Sequence, residues 1–452
     1  MYSINPATGN KIKFYAEFSS AKIDRMITQT QKSFEVWRRL SFKERELKMK
    51  KAAKILLKNK EPYARLIADE MGKPLAQGHS EIEKCAWVCD FYAREAKRYL
   101  SPELIATDAT KSFVSFEPLG IVLAVMPWNF PFWQVFRAAA PTVMAGNAIL
   151  LKHASNVCGC ALAIEEIFAE AEFPNGLFRS LLIPGKKVGS LIEHPLIQAV
   201  TLTGSTQAGR SIASCAGGVV KKTVLELGGN DPYIILEDAD LQRTVETCVA
   251  SRLINGGQSC VAAKRFIAVE SIFETFTKKF VEKMRRQRMG PPLEEGVTLG
   301  PLARYDLRDQ LHAQVKKSIR QGAKLLLGGE LIQNPGAFYP PTVLVNVHRG
   351  MPAYTEELFG PVAVILKARD EQEAIDIAND TVFGLGAAVF SRNGKRAQRI
   401  VKELQAGCCF INDFVKSDPR LPFGGIKQSG YGRELSSFGI REFVNIKTVY
   451  IQ

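Results

Sequence analysis

Short apolar runs of strand length alternate with helical segments from residue 121 onward, and this alternation constrains the fold more than any other feature of the sequence. It is the pattern of a parallel sheet with helices packed on it. One series of runs precedes Glu226 and another follows it, which predicts an α/β chain with two sheet domains in series. The predicted strands are residues 121–125, 148–151, 180–183 and 199–202, then 233–236, 265–269, 363–366, 387–390 and 409–411.

Two flanking regions have different patterns. Apolar residues recur at helical spacing between residues 20 and 100, which predicts several consecutive helices. Residues 111–118 and 442–451 alternate between apolar and polar side chains, as exposed strands do. Outside either domain, each of these strands would leave an unprotected edge unless another strand paired with it. They are therefore candidates for a sheet that is shared between subunits.

Composition narrows the class of protein. The chain has 452 residues, of which 46% are hydrophobic and 23% are charged, as in ordinary globular proteins. No stretch approaches the length of an apolar membrane span, and the first residues lack the apolar core of a secretory signal. We therefore expect a cytoplasmic protein without a membrane span, whose nine cysteines are free thiols.

The net charge of +14 does not by itself indicate a nucleic-acid partner, and we expect none. Lysines between residues 43 and 60 alternate with glutamates on an apparently helical segment, which is typical of a solvated helix face. A positive field would also favour an anionic substrate or cofactor. The cysteine pairs at 85 and 89 and at 158 and 160 lack partners at zinc-site spacing, so we expect no metal.

Two segments place a reactive side chain beside glycines. Cys260 follows the turn at 255–257, where backbone N–H groups can lower a thiol pKa and hold an oxyanion. Glu226 lies in an apolar run before a Gly-Gly pair, and burial would raise its pKa toward the range of a general base. Each residue also has a plain structural interpretation, the cysteine as a buried thiol and the glutamate as a strand end that points to solvent.

Two further segments lie where predicted strands end. Residues 126–131 (MPWNFP) form a loop fixed by two prolines, in which the Asn129 amide could donate to an oxyanion. The loop could equally be a rigid turn with an aromatic plug. Residues 203–209 (TGSTQAG) enter a helix with small side chains, so that free N–H groups can face a phosphate. Neither a G-x-G-x-x-G motif in its strand–helix context nor a P-loop motif is present.

Taken together, these segments resemble the aldehyde dehydrogenase superfamily in order and spacing, over essentially the whole chain. The interval of 34 positions from Glu226 to Cys260 is the interval that the family shows between base and nucleophile. The detailed pattern is most similar to bacterial succinate-semialdehyde dehydrogenases. The matching segments are PWNFP (127–131), LLKHAS (150–155), TGSTQAG (203–209), LELGGN (225–230), NGGQSCVAAKR (255–265), EELFGPV (356–362) and PFGGIKQSGYGRE (422–434).

The resemblance implies a fold of three parts: a Rossmann-like cofactor-binding domain, an α/β catalytic domain and a small β element for oligomerisation. We assign residues 1–112 and 129–227 to the cofactor domain and 228–421 to the catalytic domain. Residues 113–128 and 436–452 are assigned to the oligomerisation strands. Members of the family are dimers or tetramers, so we expect a homodimer or a homotetramer.

The resemblance also implies the chemistry. Cys260 as a thiolate attacks the aldehyde carbon, and the Asn129 side chain and the Cys260 backbone N–H hold the oxyanion. The adduct gives a hydride to NAD or NADP and leaves a thioester, which water activated by Glu226 hydrolyses. A non-catalytic protein of the same fold is the first alternative, and the intact catalytic set argues against it. Acyl transfer to coenzyme A is the second, and relatives that do this tend to lack the glutamate.

The resemblance assigns the cofactor-binding residues as well. Lys152 would hold the adenosine ribose, Ser205 would reach the pyrophosphate, and Glu357 would bind the nicotinamide ribose. Ser155 stands where many NAD-preferring members carry a glutamate, which would repel a 2′-phosphate, so NADP is permitted and we expect dual use. We interpret the neighbouring His153 as a surface side chain. The remaining candidates are Trp128, Gly204, Leu227, Gly228 and Phe359.

By the resemblance, Arg137 matches an arginine that such enzymes use to bind the substrate carboxylate, with which a guanidinium can pair bidentately. If Asn129 opens a helix, Arg137 lies two turns along the same face. It could instead bridge to an acid within the protein. Some members carry a second arginine where this chain has Ile254, and its loss would weaken selection for a carboxylated aldehyde by ~2 kcal/mol. Glutarate semialdehyde, aliphatic or amino aldehydes could then compete. Further candidates for this pocket are Lys416, Ser417, Arg420 and Phe423.

Overall fold

The computed structural model describes residues 1–333 and 335–452 of the chain. Strands and helices alternate over most of this length, as the sequence predicts. The strands are β1 (Tyr2–Ile4), β2 (Lys11–Phe14), β3 (Glu103–Leu104), β4 (Lys111–Pro118), β5 (Ile121–Met126), β6 (Ala148–His153), β7 (Phe178–Ser180), β8 (Ile197–Thr203), β9 (Lys222–Glu226), β10 (Pro232–Ile235), β11 (Arg265–Val269), β12 (Lys324–Leu327), β13 (Thr342–Val345), β14 (Val362–Ala368), β15 (Gly386–Phe390), β16 (Cys408–Ile411), β17 (Gly430–Tyr431) and β18 (Val444–Ile451).

The helices include four consecutive ones before residue 100, which confirms the helical pattern predicted there. They are α1 (Ser20–Trp37), α2 (Phe42–Lys58), α3 (Lys60–Met71), α4 (Leu75–Tyr99), α5 (Trp133–Met144), α6 (Cys158–Glu170), α7 (Val188–Glu193), α8 (Thr206–Gly218), α9 (Leu241–Leu253), α10 (Glu270–Arg285), α11 (Tyr305–Arg320), α12 (Pro352–Thr355), α13 (Glu371–Asn379), α14 (Gly394–Glu403) and α15 (Ser436–Ile440). No helix within the described ranges is long and apolar enough to cross a membrane.

Helices α1 and α2 show why these segments are helical. The Ser19 side chain accepts a hydrogen bond from a backbone N–H in the first turn of α1. Ser41 and Glu44 form a reciprocal capping box at the start of α2. The buried residues of α1 recur every three or four positions, so one face of the helix packs into the core: Ile23, Met26, Ile27, Thr30, Ser33, Phe34 and Trp37.

The first series of apolar runs forms a six-stranded sheet with the order β17-β9-β8-β5-β6-β7. Its neighbours run parallel, except that β17 pairs antiparallel with β9. The strands predicted at 121–125, 148–151 and 199–202 are confirmed. The strand predicted at 180–183 is wrong, because β7 ends at Ser180. The apolar residues that follow it are buried as a loop, since an apolar run indicates burial whether or not the backbone pairs.

Strand β5 lies inside this sheet, between β8 and β6. The assignment of residues 113–128 to an oligomerisation element is therefore wrong for residues 121–126. The two strands on either side of this boundary differ in pattern: β4 carries partly buried and exposed positions, whereas β5 is buried almost throughout. Continuous burial is typical of a parallel strand that is covered on both faces.

The second series forms a seven-stranded sheet with the order β12-β13-β14-β11-β10-β15-β16. Only β12 and β13 are antiparallel neighbours. The strands predicted at 233–236, 265–269, 363–366, 387–390 and 409–411 are confirmed to within two residues at their ends. All seven strands lie within residues 228–421, the range that the sequence assigns to one domain.

The two flanking strands pair with each other rather than remaining single edges. Strand β4 pairs antiparallel with β18 from Lys111 opposite Ile451 to Pro118 opposite Val444, and β3 pairs with the other side of β4. The strand predicted at 111–118 is confirmed, and that predicted at 442–451 begins at Val444. Ile446 and Tyr450 remain exposed on β18. That this sheet is shared between subunits stays a prediction.

The carboxyl ends of three parallel strands that carry motif residues, β5, β8 and β9, lie at one edge of the six-stranded sheet. Residues 127–132 follow β5, Gly204 follows β8, and Glu226 is the last residue of β9. Residues 227–231 then lead directly into β10 of the second sheet. The segments that carry the sequence motifs are thus brought together where the two sheets adjoin, which is where α/β proteins place their sites.

Candidate active site

Cys260 lies at the end of a tightly folded loop between the two sheets. Asn255, Gly256 and Gly257 all have φ between 54° and 75°, the left-handed region that glycine adopts readily. A Cβ at Gly257 would stand 2.2 Å from the carbonyl oxygen of Gly360, so only glycine fits there. The loop carries Cys260 to a position where it lines two cavities, one on each side.

Asn129 is tied to this loop by hydrogen bonds in both directions. Its side-chain Nδ2 donates to the backbone carbonyl oxygen of Gln258 at 3.0 Å, and its backbone carbonyl oxygen accepts from Asn255 Nδ2 at 2.6 Å. An amide nitrogen has two hydrogens, so Asn129 keeps a second donor for an oxyanion. The structure thus brings together the two oxyanion donors that the sequence predicts, Asn129 and the cysteine loop.

The environment of the Cys260 thiol differs from the prediction. Burial raises the pKa of the thiol to about 12, while the positive charges of Arg137 and Lys264 act in the opposite direction. The expectation that the glycine-rich turn lowers this pKa is therefore wrong for the protein as it stands. Desolvation of the thiolate outweighs both cations, so the thiol is protonated at neutral pH and a base must remove its proton.

Lys264 is a residue of this site that the sequence pattern did not indicate. Its Nζ donates to the carbonyl oxygens of Cys260 at 2.6 Å and Ser259 at 3.0 Å. The same ammonium lies 3.1 Å from Glu357 Oε1. It therefore connects the cysteine loop to a predicted cofactor residue. Its place in NGGQSCVAAKR was visible in the sequence, but a lysine there reads equally well as a surface residue.

Glu226 is buried, which excludes the interpretation that it points to solvent. Neither carboxyl oxygen has a hydrogen-bond partner among the described residues. Burial and the neighbouring carboxylate of Glu434 raise its pKa well above the usual range. Gly424 leaves the space that this carboxyl group occupies, since a Cβ there would lie 2.8 Å from Glu226 Oε1. A carboxyl group with a raised pKa is suited to general-base catalysis near neutral pH.

Arg137 is buried on α5 and already has a carboxylate partner within the protein. Its Nε pairs with Glu434, its Nη2 donates to Thr203 Oγ1 at 3.2 Å, and the guanidinium lies 4.8 Å from the centre of the Phe423 ring. The bridge to a neighbouring acid, which the sequence left open, is therefore present. The premise that Asn129 opens the helix is wrong, because α5 begins at Trp133.

One of the two cavities is lined by most of the predicted cofactor-binding residues. It has a volume of about 430 Å³ and includes the N-terminus of α8, where backbone N–H groups can face a phosphate. Ser205 is the N-cap of this helix, and its side chain accepts from Ala208 N at 3.3 Å. A Cβ at Gly228 would stand 2.5 Å from Glu357 Oε2, so glycine keeps this wall open. The predicted residues that line the cavity are Trp128, Asn129, Gly204, Ser205, Leu227, Gly228, Cys260, Glu357 and Phe359.

Lys152 and Ser155 lie outside the lining of this cavity, at the carboxyl end of β6. Lys152 lies within strand β6 rather than directly after it, and burial lowers its pKa.

The interpretation of His153 as a surface residue is wrong. It is buried, its Nε2 lies 2.8 Å from the carbonyl oxygen of Pro131, and burial lowers its pKa to about 4. A neutral His153 therefore attaches the Asn129 loop to β6 and adds no charge for a phosphate.

The second cavity, of about 410 Å³, has aromatic and aliphatic walls around a few polar groups. Of the predicted substrate residues, it is lined by Arg137, Lys416, Ser417 and Phe423. Arg420 is not in the lining, because it is exposed and pairs with Asp418 at 2.6 Å. Lys416 pairs with Asp413 at 2.6 Å. The lining residues that the sequence did not single out include Gln77, Ser80 and Lys84 from α4.

A buried ion pair holds the loop that carries Asn129. Lys73 and Glu81 pair with each other, and both side chains are 1% exposed. Glu81 also accepts from the backbone N–H groups of Phe132 and Trp133, each at 2.9 Å, at the start of α5. Lys73 Nζ lies 3.8 Å from the centre of the Phe130 ring. These contacts stabilise the first turn of α5 and thereby fix the end of the loop that carries Asn129.

Replacing Lys73 by methionine should lower the thermal unfolding midpoint, since it leaves the Glu81 carboxylate buried without its cation. The expected loss is about 3–5 kcal/mol, or a decrease of roughly 5 °C. Arg65→Met is the matched control, because it breaks an exposed pair with Glu61 and should cost less than about 1 kcal/mol. Equal midpoints for the two variants, measured by differential scanning fluorimetry, would contradict a structural role for the buried pair.

None of the nine cysteines forms a disulfide, and no three His, Cys, Asp or Glu side chains in the described part of the chain converge as metal ligands.

Comparison with known proteins agrees with this arrangement. The model of the aldehyde dehydrogenase family matches residues 1–449. A probable succinate-semialdehyde dehydrogenase [NADP(+)] of Synechocystis is 49% identical over 99% of both chains, and a succinate semialdehyde dehydrogenase [NAD(P)+] of Escherichia coli is 46% identical over 99% of this chain and 97% of its own. The crystal structure of a Streptococcus pyogenes succinic semialdehyde dehydrogenase with NADP+ superimposes with a TM-score of 0.98 at 36% identity, covering 100% of this chain and 99% of that one. The chain belongs to the aldehyde dehydrogenase family.

Proposed function

We propose that this protein oxidises succinate semialdehyde to succinate, with NAD or NADP as the hydride acceptor. The observation that carries the proposal is the position of Cys260, which lines both the cavity with most of the predicted cofactor-binding residues and a second cavity with cationic side chains in its wall. An aldehyde carbon bound at the sulfur would therefore lie between the two. The relatives named for this substrate, at up to 49% identity over nearly the whole chain, support the same assignment.

Cys260 supplies the nucleophile. Because its thiol is protonated at neutral pH, the reaction begins with removal of that proton. Glu226, whose charge influences the pKa of this thiol, is the base that we propose for this step. The sulfur then adds to the aldehyde carbon. Asn129 Nδ2 and the Cys260 backbone N–H stabilise the resulting oxyanion, and the rigid loop keeps these donors in place.

The predicted cofactor residues would hold NAD or NADP in the first cavity. The chemistry that a bound nicotinamide cofactor supplies is acceptance of the hydride from the substrate carbon, which leaves a thioester on Cys260. Trp128 and Phe359, whose rings are 5.8 Å apart, enclose one end of this cavity. Lys152 and Ser155 would act on the adenosine ribose at the end of β6. The serine has no charge to repel a 2′-phosphate.

Glu226 completes the reaction by activating the water that hydrolyses the thioester. Its buried carboxyl group, free of other hydrogen bonds among the described residues, can accept a proton from that water. The presence of this base argues against acyl transfer to coenzyme A. Retention of Cys260, Asn129 and Glu226 together argues against a non-catalytic protein of the same fold.

The range of substrates and the assembly are part of the same proposal. Glutarate semialdehyde and aliphatic or amino aldehydes are the alternative substrates, since the walls of the second cavity are largely apolar. We propose that residues 1–112 and 129–227, together with β5, form the cofactor-binding domain, and that residues 228–421 form the catalytic domain, which carries the nucleophile. The β4–β18 sheet would join subunits in a homodimer or homotetramer, located in the cytoplasm.

The test compares kcat/KM for succinate semialdehyde and butyraldehyde, with NAD and then NADP, from the absorbance of the reduced cofactor. We expect a preference of at least ~30-fold for succinate semialdehyde, because a carboxylate in a partly desolvated cationic pocket contributes about 2 kcal/mol or more. Butyraldehyde has the same number of carbon atoms, with a methyl group in place of the carboxylate. Equal values for the two aldehydes would remove succinate semialdehyde as the substrate while leaving the chemistry in place.

A further inference from the structure

Lys84 is a cation in the wall of the second cavity. It lies on α4, is partly buried, and lines the same cavity as Cys260. Its Nζ donates to Ser417 Oγ at 2.9 Å and lies 4.4 Å from the centre of the Trp133 ring. In the described part of the chain, no carboxylate forms an ion pair with it. A charge taken partly out of water without a counter-ion is unfavourable, so the site favours an anionic ligand.

The other cations around this cavity already have carboxylate partners. Arg137 pairs with Glu434 and Lys416 pairs with Asp413. Arg420 pairs with Asp418 and lies outside the lining. An incoming carboxylate would have to displace an ion-paired acid from any of these three, whereas no acid among the described residues forms an ion pair with Lys84.

We propose that Lys84, together with the hydroxyl of Ser417, binds the carboxylate of the substrate and thereby selects a carboxylated aldehyde. This inference rests on the proposed function and names the residue that provides its selectivity. The Trp133 ring and Ser417 hold the ammonium in place, so little side-chain freedom is lost when the carboxylate binds. The aromatic and aliphatic wall, which includes Phe130 and Phe423, limits water and strengthens the charge pair.

The charge on Lys84 responds to pH within the working range of an enzyme. Burial, and next the positive charge of Arg137 on α5, lower its pKa to about 8. Glu81 and Cys85 on α4 and Asp418 in the neighbouring loop act in the opposite direction. Lys84 is therefore charged below about pH 8 and neutral above it. Preference for a carboxylated aldehyde should decline as the pH rises through this value.

The experiment compares kcat/KM for succinate semialdehyde and for butyraldehyde in Lys84→Met, Lys84→Arg and the wild type. In Lys84→Met we expect a decrease of ~30-fold or more for succinate semialdehyde and less than about 3-fold for butyraldehyde, because only the first contains the carboxylate. Lys97→Met, on the exposed side of the last turn of α4, is the matched control and should change neither value.

The ratio of the two kcat/KM values is then followed from about pH 6.5 to about pH 9.5, since a ratio cancels the titration of Cys260 and Glu226. The wild-type ratio should fall above about pH 8. The ratio of Lys84→Arg should stay constant, because a guanidinium remains charged over this range. Lys84→Met removes a charge that has no ion partner, so its thermal unfolding midpoint should equal or exceed that of the wild type. If it does not fold, Lys84→Arg and its pH profile decide the question.

The outcomes separate this inference from the proposed function. A wild type that does not prefer succinate semialdehyde overturns the proposed substrate before any variant is made. A wild type that prefers it, with a Lys84→Met variant that keeps the preference, overturns the role of Lys84 alone. Equal losses for both aldehydes would likewise overturn it, because they indicate a structural effect on the cavity.

Discussion

Replacing Cys260 by alanine is expected to abolish aldehyde oxidation, with a decrease in kcat of more than about 10⁴-fold. No other thiol can take its place, because Cys260 lies where the two cavities meet and the turn at 255–257 holds it there. Loss of the nucleophile prevents formation of the tetrahedral adduct, so no hydride leaves the substrate. The measurement is the steady-state rate of cofactor reduction at saturating aldehyde and cofactor.

Cofactor binding by the same variant separates lost chemistry from lost structure. Since alanine is smaller than cysteine and touches the cofactor cavity only at its edge, the Kd for NAD and NADP should change by less than about 3-fold. Cys215→Ala is the control, because that thiol is partly exposed on α8 and bonds only to the Gly189 carbonyl at 3.7 Å. It should retain full activity. Turnover by Cys260→Ala at even one-tenth of the wild-type rate would remove Cys260 from the mechanism.

Replacing Glu226 by glutamine is expected to stall the enzyme after hydride transfer. The substitution keeps the shape of the side chain and removes the base, so the thioester forms once and is then hydrolysed slowly. We expect a burst of about one reduced cofactor per active site, followed by a steady-state rate lower by ~10²–10⁴-fold. Stopped-flow absorbance of the reduced cofactor measures both phases.

Hydroxylamine provides the internal control for this variant. It cleaves thioesters without needing a general base, so adding it should restore repeated turnover and yield the hydroxamic acid. No burst and no rescue would mean that Glu226 acts before the thioester, as the base for the Cys260 thiol. Normal steady-state turnover without hydroxylamine would contradict both roles.

The wild type should also respond to pH through Glu226. Because burial and Glu434 raise its pKa, the carboxylate form that acts as a base is scarce at acidic pH and increases as the pH rises. The deacylation rate should therefore increase from acidic towards alkaline pH, and the Glu226→Gln variant should lose this dependence. Multiple-turnover rates at saturating substrate, measured at acidic, neutral and alkaline pH, test whether the rate rises with pH.

The local pattern of the chain was sufficient to predict the sheets. Parallel strands that are covered by helices need continuous apolar runs, and such runs stand out in the sequence at 121–125, 265–269 and 387–390. The strand predicted at 180–183 and the end of the oligomerisation element predicted at residue 128 were both misplaced for the same physical reason. Burial of an apolar run is a local property, whereas the neighbour with which a strand pairs depends on distant segments.

The sequence by itself also determined the chemistry, because Cys260, Glu226 and Asn129 each stand in a motif whose order and spacing resemble one family. It could not determine how the surrounding protein adjusts these groups. Burial raises the pKa of the Cys260 thiol and the charge of Arg137 opposes that rise, whereas burial and the charge of Glu434 together raise the pKa of Glu226. Both of these charged residues are remote in sequence from the group on which they act.

Only the tertiary structure decided which cation is available to a substrate carboxylate. Arg137 looked suitable in the sequence, yet the fold gives it Glu434 as a partner. Lys84 lies in a helix with no recognisable motif. The packing of α4 against α5 and the 414–417 loop places the Lys84 side chain in the wall of the second cavity. Side-chain type is a property of each residue, whereas charge pairing and desolvation arise from contacts that exist only once the chain is folded.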